Sequence, residues 1–132
     1  MRPNVCAIWR RFPSDLAARI DQCIRSGNEI ADATGGTTLF FRADDVGVPG
    51  MQFERMMGLF ATYGVPLSLA IVPAWLTSDR WQYLNGFEKN HPARWCWYQH
   101  GWRHVNHEAE GKKQEFGNAR SLAQIKQDLR RG

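Results

Sequence analysis

At 132 residues the chain has the length of one small domain, and its 43% hydrophobic content is the ordinary globular value. The formal charge of +4 is spread in small clusters at Arg10-Arg11, Lys112-Lys113 and Arg130-Arg131. No basic stripe interleaves with aromatics, which argues against nucleic-acid binding, and no apolar run is long enough for a transmembrane segment.

In chain order, Pro13-Ser14-Asp15 opens a helical pattern in which Leu16, Ile20, Cys23 and Ile24 recur through Arg25, and Ser26-Gly27-Asn28 is expected to stop it. Gly35-Gly36 punctuates the next segment. Thr37 to Phe41 is β-branched and aromatic and predicts a buried strand, with Asp44-Asp45 at its C-terminal end. Met51 to Tyr63 predicts a helix with Phe53, Met56, Met57 and Phe60 on one face, stopped by Gly64. Val65 to Val72 is almost unbroken in its apolar character and suits a strand covered on both faces. Ser78 to Asn90 predicts a helix, Arg94 to Tyr98 a third strand, residues 108–117 a polar loop, and Ser121 to Arg130 a last helix N-capped by Ser121. Strands alternating with helices imply an α/β fold with a parallel sheet and right-handed crossovers.

The three cysteines, Cys6, Cys23 and Cys96, are odd in number and form no CxxC pair, as expected of reduced thiols in a cytoplasmic protein. Cys96 lies in an apolar run and is expected in the core. The N-terminus carries Arg2, Arg10 and Arg11 but lacks the uninterrupted apolar stretch of a secretory signal. Most of the six Trp are expected to fill the core.

The stretch that carries chemistry is His100-Gly-Trp-Arg-His104. On a helix or a helical turn two imidazoles four residues apart share one face and can grip one ion, with a carboxylate from elsewhere as third ligand. Asp44-Asp45 supplies two acids, one to ligate and one to act as a base in metal-assisted hydrolysis. Both segments fall at strand C-terminal ends, where α/β folds gather their functional residues. Each half has a plainer reading. An isolated Asp pair more often serves a turn, and a lone His is more often a satisfied or solvated residue. Arg42 shares a strand face with Asp44 and either pairs with it or faces solvent. His107, three residues past His104, is a substrate contact or a solvated loop residue.

On these residues the chain resembles the polysaccharide deacetylase (NodB-homology) family of carbohydrate esterases. The first family motif, an apolar strand ending in two Asp, corresponds to Phe40 to Asp45, and the second, a spaced His pair, to His100 to His104. The helix and Arg-x-Asp-Asp strand of residues 15–45 look like one bacterial branch of that family, as does His100-Gly-Trp-Arg-His-Val-Asn-His-Glu with Gly111-Lys-Lys-Gln-Glu-Phe-Gly117.

The resemblance implies a parallel-stranded (β/α) barrel, here only about half of one in a single domain over residues 1–132. It implies a metal-dependent carbohydrate N-deacetylase. Asp45, His100 and His104 would hold the ion, Asp44 would be the general base, and Trp102 and His107 would be substrate contacts. Zinc is the first expectation for the metal, with Co²⁺, Ni²⁺ or Fe²⁺ also suited to the donor set. The substrate would be an N-acetylated sugar or glycan, with an intracellular precursor favoured. The family's later segments, which supply an Arg that orients the catalytic Asp and a His that acts as acid, have no counterpart here. Half a barrel leaves two sheet edges exposed, so completion by a homodimer or a second chain is expected, and a lone monomer should be unstable or aggregation-prone. The alternative function is a non-catalytic sugar-binding or assembly module derived from a truncated deacetylase.

Overall fold

The structure, a computed structural model, describes residues 13–31 and 37–132. Cys6, the arginines at positions 2, 10 and 11, and Gly35-Gly36 lie outside the described residues. The chain divides into two compact units, Met1–Leu39 and Phe40–Gly132.

In the first unit, helix α1 spans Leu16–Ala31. It begins where expected, with the Leu16 N–H donating to the Pro13 carbonyl at 3.0 Å. It runs past the expected stop at 26–28. Gly27 does not adopt the left-handed conformation that would end the helix, and a helical glycine costs only about 1 kcal/mol against alanine. The Asn28 carboxamide caps the returning chain instead, accepting from the Thr37 N–H at 2.8 Å.

The second unit holds β1 (Arg42–Val46), α2 (Met51–Tyr63), β2 (Leu67–Ile71), a 3₁₀ turn at Pro73–Trp75, α3 (Ser78–Asn90), β3 (Trp95–Gln99) and α4 (Leu122–Arg131). Helix α2 ends as its sequence predicts. Gly64 turns left-handed at φ 68°, its N–H donates to the Ala61 carbonyl, and the Val65 N–H donates to Phe60, the paired bonds of a Schellman stop. Thr77 caps α3 by accepting from the Arg80 N–H, and Ser121 caps α4 in a reciprocal box with Gln124.

The first strand is not where the apolar run placed it. Thr37–Phe41 has no regular structure, Phe40 and Phe41 are exposed, and the strand is the more polar Arg42–Val46. The reason is its position. Among the described residues β1 is an edge strand, paired on one side, and composition decides less there than in a covered strand. β2, in the middle, is buried at every residue, as its apolar run predicts.

The sheet is parallel, in the order β1-β2-β3. Leu67 and Leu69 align with Trp95 and Trp97, and Ala43 aligns with Leu69. On this face Leu67, Leu69, Ile71 and Trp95 pack against Met57 of α2 and Leu84 of α3, with Val46 in the same cluster. Each such side chain taken fully from water contributes about 1.5–3 kcal/mol. Both crossover helices thus lie on one face, and each step goes to the neighbouring strand. The result is an open, singly wound α/β sheet of three strands. The other face carries Arg42 and Asp44 of β1, Ser68 and Ala70 of β2, and Cys96 and Tyr98 of β3. Cys96 is exposed there, not in the core, because strand alternation turns it away from Trp95 and Trp97. Among the described residues no helix is long and apolar enough to cross a membrane.

Candidate metal centre

Two segments at the C-terminal ends of the strands bring the centre together, the end of β1 with Asp45 and the loop after β3 with His100 and His104. The first contribution comes from a β-bulge. Ala43 pairs with Leu69 and Val46 with Ile71, so β1 holds one residue more than β2 between these pairs. Asp45 takes up the excess in a left-handed conformation at φ 60°, which aspartate tolerates better than most residues. In a regular strand two consecutive acids would point to opposite faces. The bulge releases Asp45 from that alternation. Gly47 follows, and any side chain on it would press on Trp75 and the Val72 carbonyl.

The two histidines leave β3 in a loop, not on the helical turn their spacing suggests. The His100 N–H donates to the Ile71 carbonyl at 2.6 Å, which fixes the start of the loop to the end of β2. Gly101 turns left-handed at φ 68°, and His104 does so again at φ 57°. These two reversals bring the rings together, with centroids 5.3 Å apart and planes inclined at 27°. The Glu115 carboxylate sits under the loop and accepts from the backbone N–H groups of Trp102, Arg103 (2.7 Å) and His104 (3.0 Å). The Trp102 carbonyl accepts from the Ala74 N–H at 2.9 Å, and Trp75 stands edge-on to the His104 ring.

Asp45, His100 and His104 converge as their spacing and order suggested. Their donor atoms all lie within 4.8 Å of one another, half-buried at His100 and exposed at the other two. Asp45 Oδ1 lies 3.4 Å from His100 Nε2 and 3.2 Å from His104 Nε2. Donors about 2.0–2.1 Å from a tetrahedral ion are separated by about 3.3 Å, so these two spacings match the edges of a zinc-sized coordination shell. The donor set of two imidazoles and one carboxylate also suits that class of ion.

Asp44 does not join this group. Its Oδ2 accepts from Arg42 Nη2 at 2.6 Å. That hydrogen bond holds the Asp44 carboxyl below the ordinary carboxylate range. Slight burial opposes the shift, and the charges of Arg42, His100 and His104 add to it. Arg42 is therefore a partner of Asp44 and not simply a solvated cation.

Trp102 is half-buried, with an indole N–H that is enclosed and unpaired. His107 is exposed, outside the three-residue group, and its backbone N–H donates to the Gln114 carbonyl. Glu115 escaped the sequence reading because it lies in a polar stretch without periodicity. Its role is to accept backbone N–H groups, which leaves no signature in residue spacing. The glycine between the two histidines was the available hint, since a side chain on Gly101 would overlap the Glu115 carboxylate.

Comparison of the chain with known protein families, with curated proteins and with solved structures gives no match.

Proposed function

We propose that the protein is a metal-dependent hydrolase that removes N-acetyl groups from an amino sugar or polysaccharide precursor, in the manner of the polysaccharide deacetylases it resembles. The observation that carries this reading is the convergence of Asp45, His100 and His104, with a second carboxylate, Asp44, next in the chain and held ionised by Arg42. These are the groups that would hold an ion and activate water in amide hydrolysis. In this reading the strands belong to a (β/α) barrel of which this chain forms part, and the consecutive strand order and one-sided helices support it.

Asp45, His100 and His104 would hold a divalent ion, zinc first among the candidates, which lowers the pKa of water and polarises an amide carbonyl. Asp44 is the general base. As a carboxylate below its ordinary pKa it is ready to accept a proton from the attacking water across the neutral range. Water oxygen bonds to the acetyl carbon, the C–N bond breaks, and the proton passes on to the departing amine, giving acetate and a free amino sugar. Arg42 fixes the Asp44 carboxylate in place, and Trp75 restricts rotation of the His104 ring. Trp102 lies within the ligand loop, where an aromatic plane suits a pyranose ring.

The test is bound metal per chain in protein purified without added metal, in wild type, Asp45→Ala and His104→Ala, followed by acetate release from a panel of N-acetylated amino sugars. About one ion per chain is expected in wild type and loss in both variants. Acetate release should fall by about 10²–10⁴-fold in Asp44→Asn while the ion stays. No ion in wild type after reconstitution would overturn the reading. An ion without acetate release on any member of the panel would favour the non-catalytic sugar-binding module.

A further inference from the structure

We infer that Glu115 is the positioning residue of the metal-ligand loop: its carboxylate gathers three consecutive backbone N–H groups and so sets the distance between the His100 and His104 imidazoles. The inference deepens the reading of Asp45, His100 and His104 as ion ligands and rests on it.

Four observations converge. First, the two carboxylate oxygens divide the donors: Arg103 N–H goes to Oε1, His104 N–H to Oε2, and Trp102 N–H lies between them at 3.1 and 3.2 Å. Consecutive N–H groups aimed into one concavity form a nest, an arrangement that binds anions, and here the anion belongs to the chain itself. Charge-assisted bonds of this kind are about twice as strong as neutral ones.

Second, Gly101 leaves the space that the Glu115 carboxylate fills. Gly101 is left-handed, and a Cβ there would overlap the Glu115 carboxylate. Third, His104 itself is left-handed, a conformation that costs a non-glycine residue roughly 1–2 kcal/mol and persists only where its surroundings impose it. The Glu115 bond to the His104 N–H is the local restraint on that conformation.

Fourth, the segment presenting Glu115 is itself fastened. Asn106 Oδ1 accepts from the N–H groups of Glu108 and Gln114, and His107 N–H donates to Gln114. The polar stretch at 106–117 is therefore an ordered support. It holds Glu115 beneath the ligand loop, whose other side is tied to β2 through His100 and to the following turn through Trp102.

Glu115→Gln isolates the effect, because it preserves volume while replacing one acceptor oxygen with a donor. In either amide orientation Arg103 or His104 then faces a donor. The measurement has two arms: hydrogen exchange of the amides of residues 102–104 in metal-free protein, and the affinity for Zn²⁺ together with the visible spectrum of the Co²⁺ form. Glu108→Ala is the control. It removes the acceptor of the Ala119 N–H from the same segment without touching residues 102–104.

Glu115→Gln should speed exchange at residues 102–104 about tenfold or more, the effect of one lost charge-assisted bond. It should weaken Zn²⁺ binding roughly ten- to a hundredfold, the range for partners of metal ligands, and alter the Co²⁺ spectrum. Glu108→Ala should lower the melting temperature yet leave Zn²⁺ affinity and spectrum unchanged. Wild-type exchange and affinity in Glu115→Gln would overturn the inference, as would an equal loss of affinity in Glu108→Ala. Wild-type protein that takes up neither ion would overturn the metal-centre reading itself, and the positioning role with it.

Discussion

Two neighbouring aspartates acquire different chemistry because their partners differ. Asp45 lies against two imidazoles and Asp44 against one guanidinium. The direction of the Asp44 shift fixes the sense of a pH effect. A carboxyl held below its ordinary pKa stays charged as pH falls toward the usual carboxylate range, so base function should persist in mildly acidic solution. Arg42→Met removes the largest cause of the shift. The acid limb of the kcat/KM profile should then move to higher pH, and a limb unchanged in Arg42→Met would show that Asp44 is not the titrating base. Asp44→Asn should lower kcat by about 10²–10⁴-fold, the usual contribution of a general base, with metal content retained. The identities of these residues were legible in the sequence. Their division of roles was less so, because Arg42 and Asp44 meet only once the strand is built, and whether Arg42 pairs or faces solvent depends on what else lies on that sheet face.

At the scale of elements, local signals worked where the local chain decides. Gly64 at the end of α2, Thr77 ahead of α3 and Ser121 ahead of α4 each act on backbone groups within a few residues, and the extents of α2 and α3 reflect them. Gly64→Ala should cost about 1–2 kcal/mol in urea unfolding, since alanine must adopt the left-handed conformation there. A cost near zero would mean that the helix end relaxes freely. The signals failed where distant partners decide. Phe40 and Phe41 read as strand but lie ahead of it, because register with β2 begins at Arg42 opposite Ser68. The His pair meets without a helix, because Glu115, eleven residues beyond His104, folds the loop.

Among the described residues of the second unit no further strand pairs with β1 or β3, and an apolar cluster lies by β1. Phe41, Leu59, Phe60, Tyr63 and Val65 line an apolar groove of about 230 Å³, and Phe40 beside it is 71% exposed. An exposed strand edge flanked by large apolar side chains favours association between chains. Light scattering across a concentration series should therefore show self-association, and Phe40→Lys, which places a charge at the head of the edge strand, should reduce it. A monodisperse wild-type monomer with a cooperative melt would count against this expectation. The three-strand parallel arrangement was legible from alternating patterns along the chain. How the free edges are covered was not, since pairing partners leave no periodic trace in a single sequence.

The bulge in β1 has a consequence for how this segment tolerates length change. Between Ala43 and Val46 the chain spells two acids where the neighbouring strand has space for one. Deleting a single aspartate would not simply subtract a carboxylate. It would let the edge strand zip evenly along β2, and the surviving acid would fall into step with Arg42 on the face opposite Leu67 and Leu69. Such a shortened chain should pair more regularly while keeping only the acid that pairs with Arg42. Asp45 is thus the residue that a smoother sheet would discard, and irregular pairing is the condition on which the proposed centre rests.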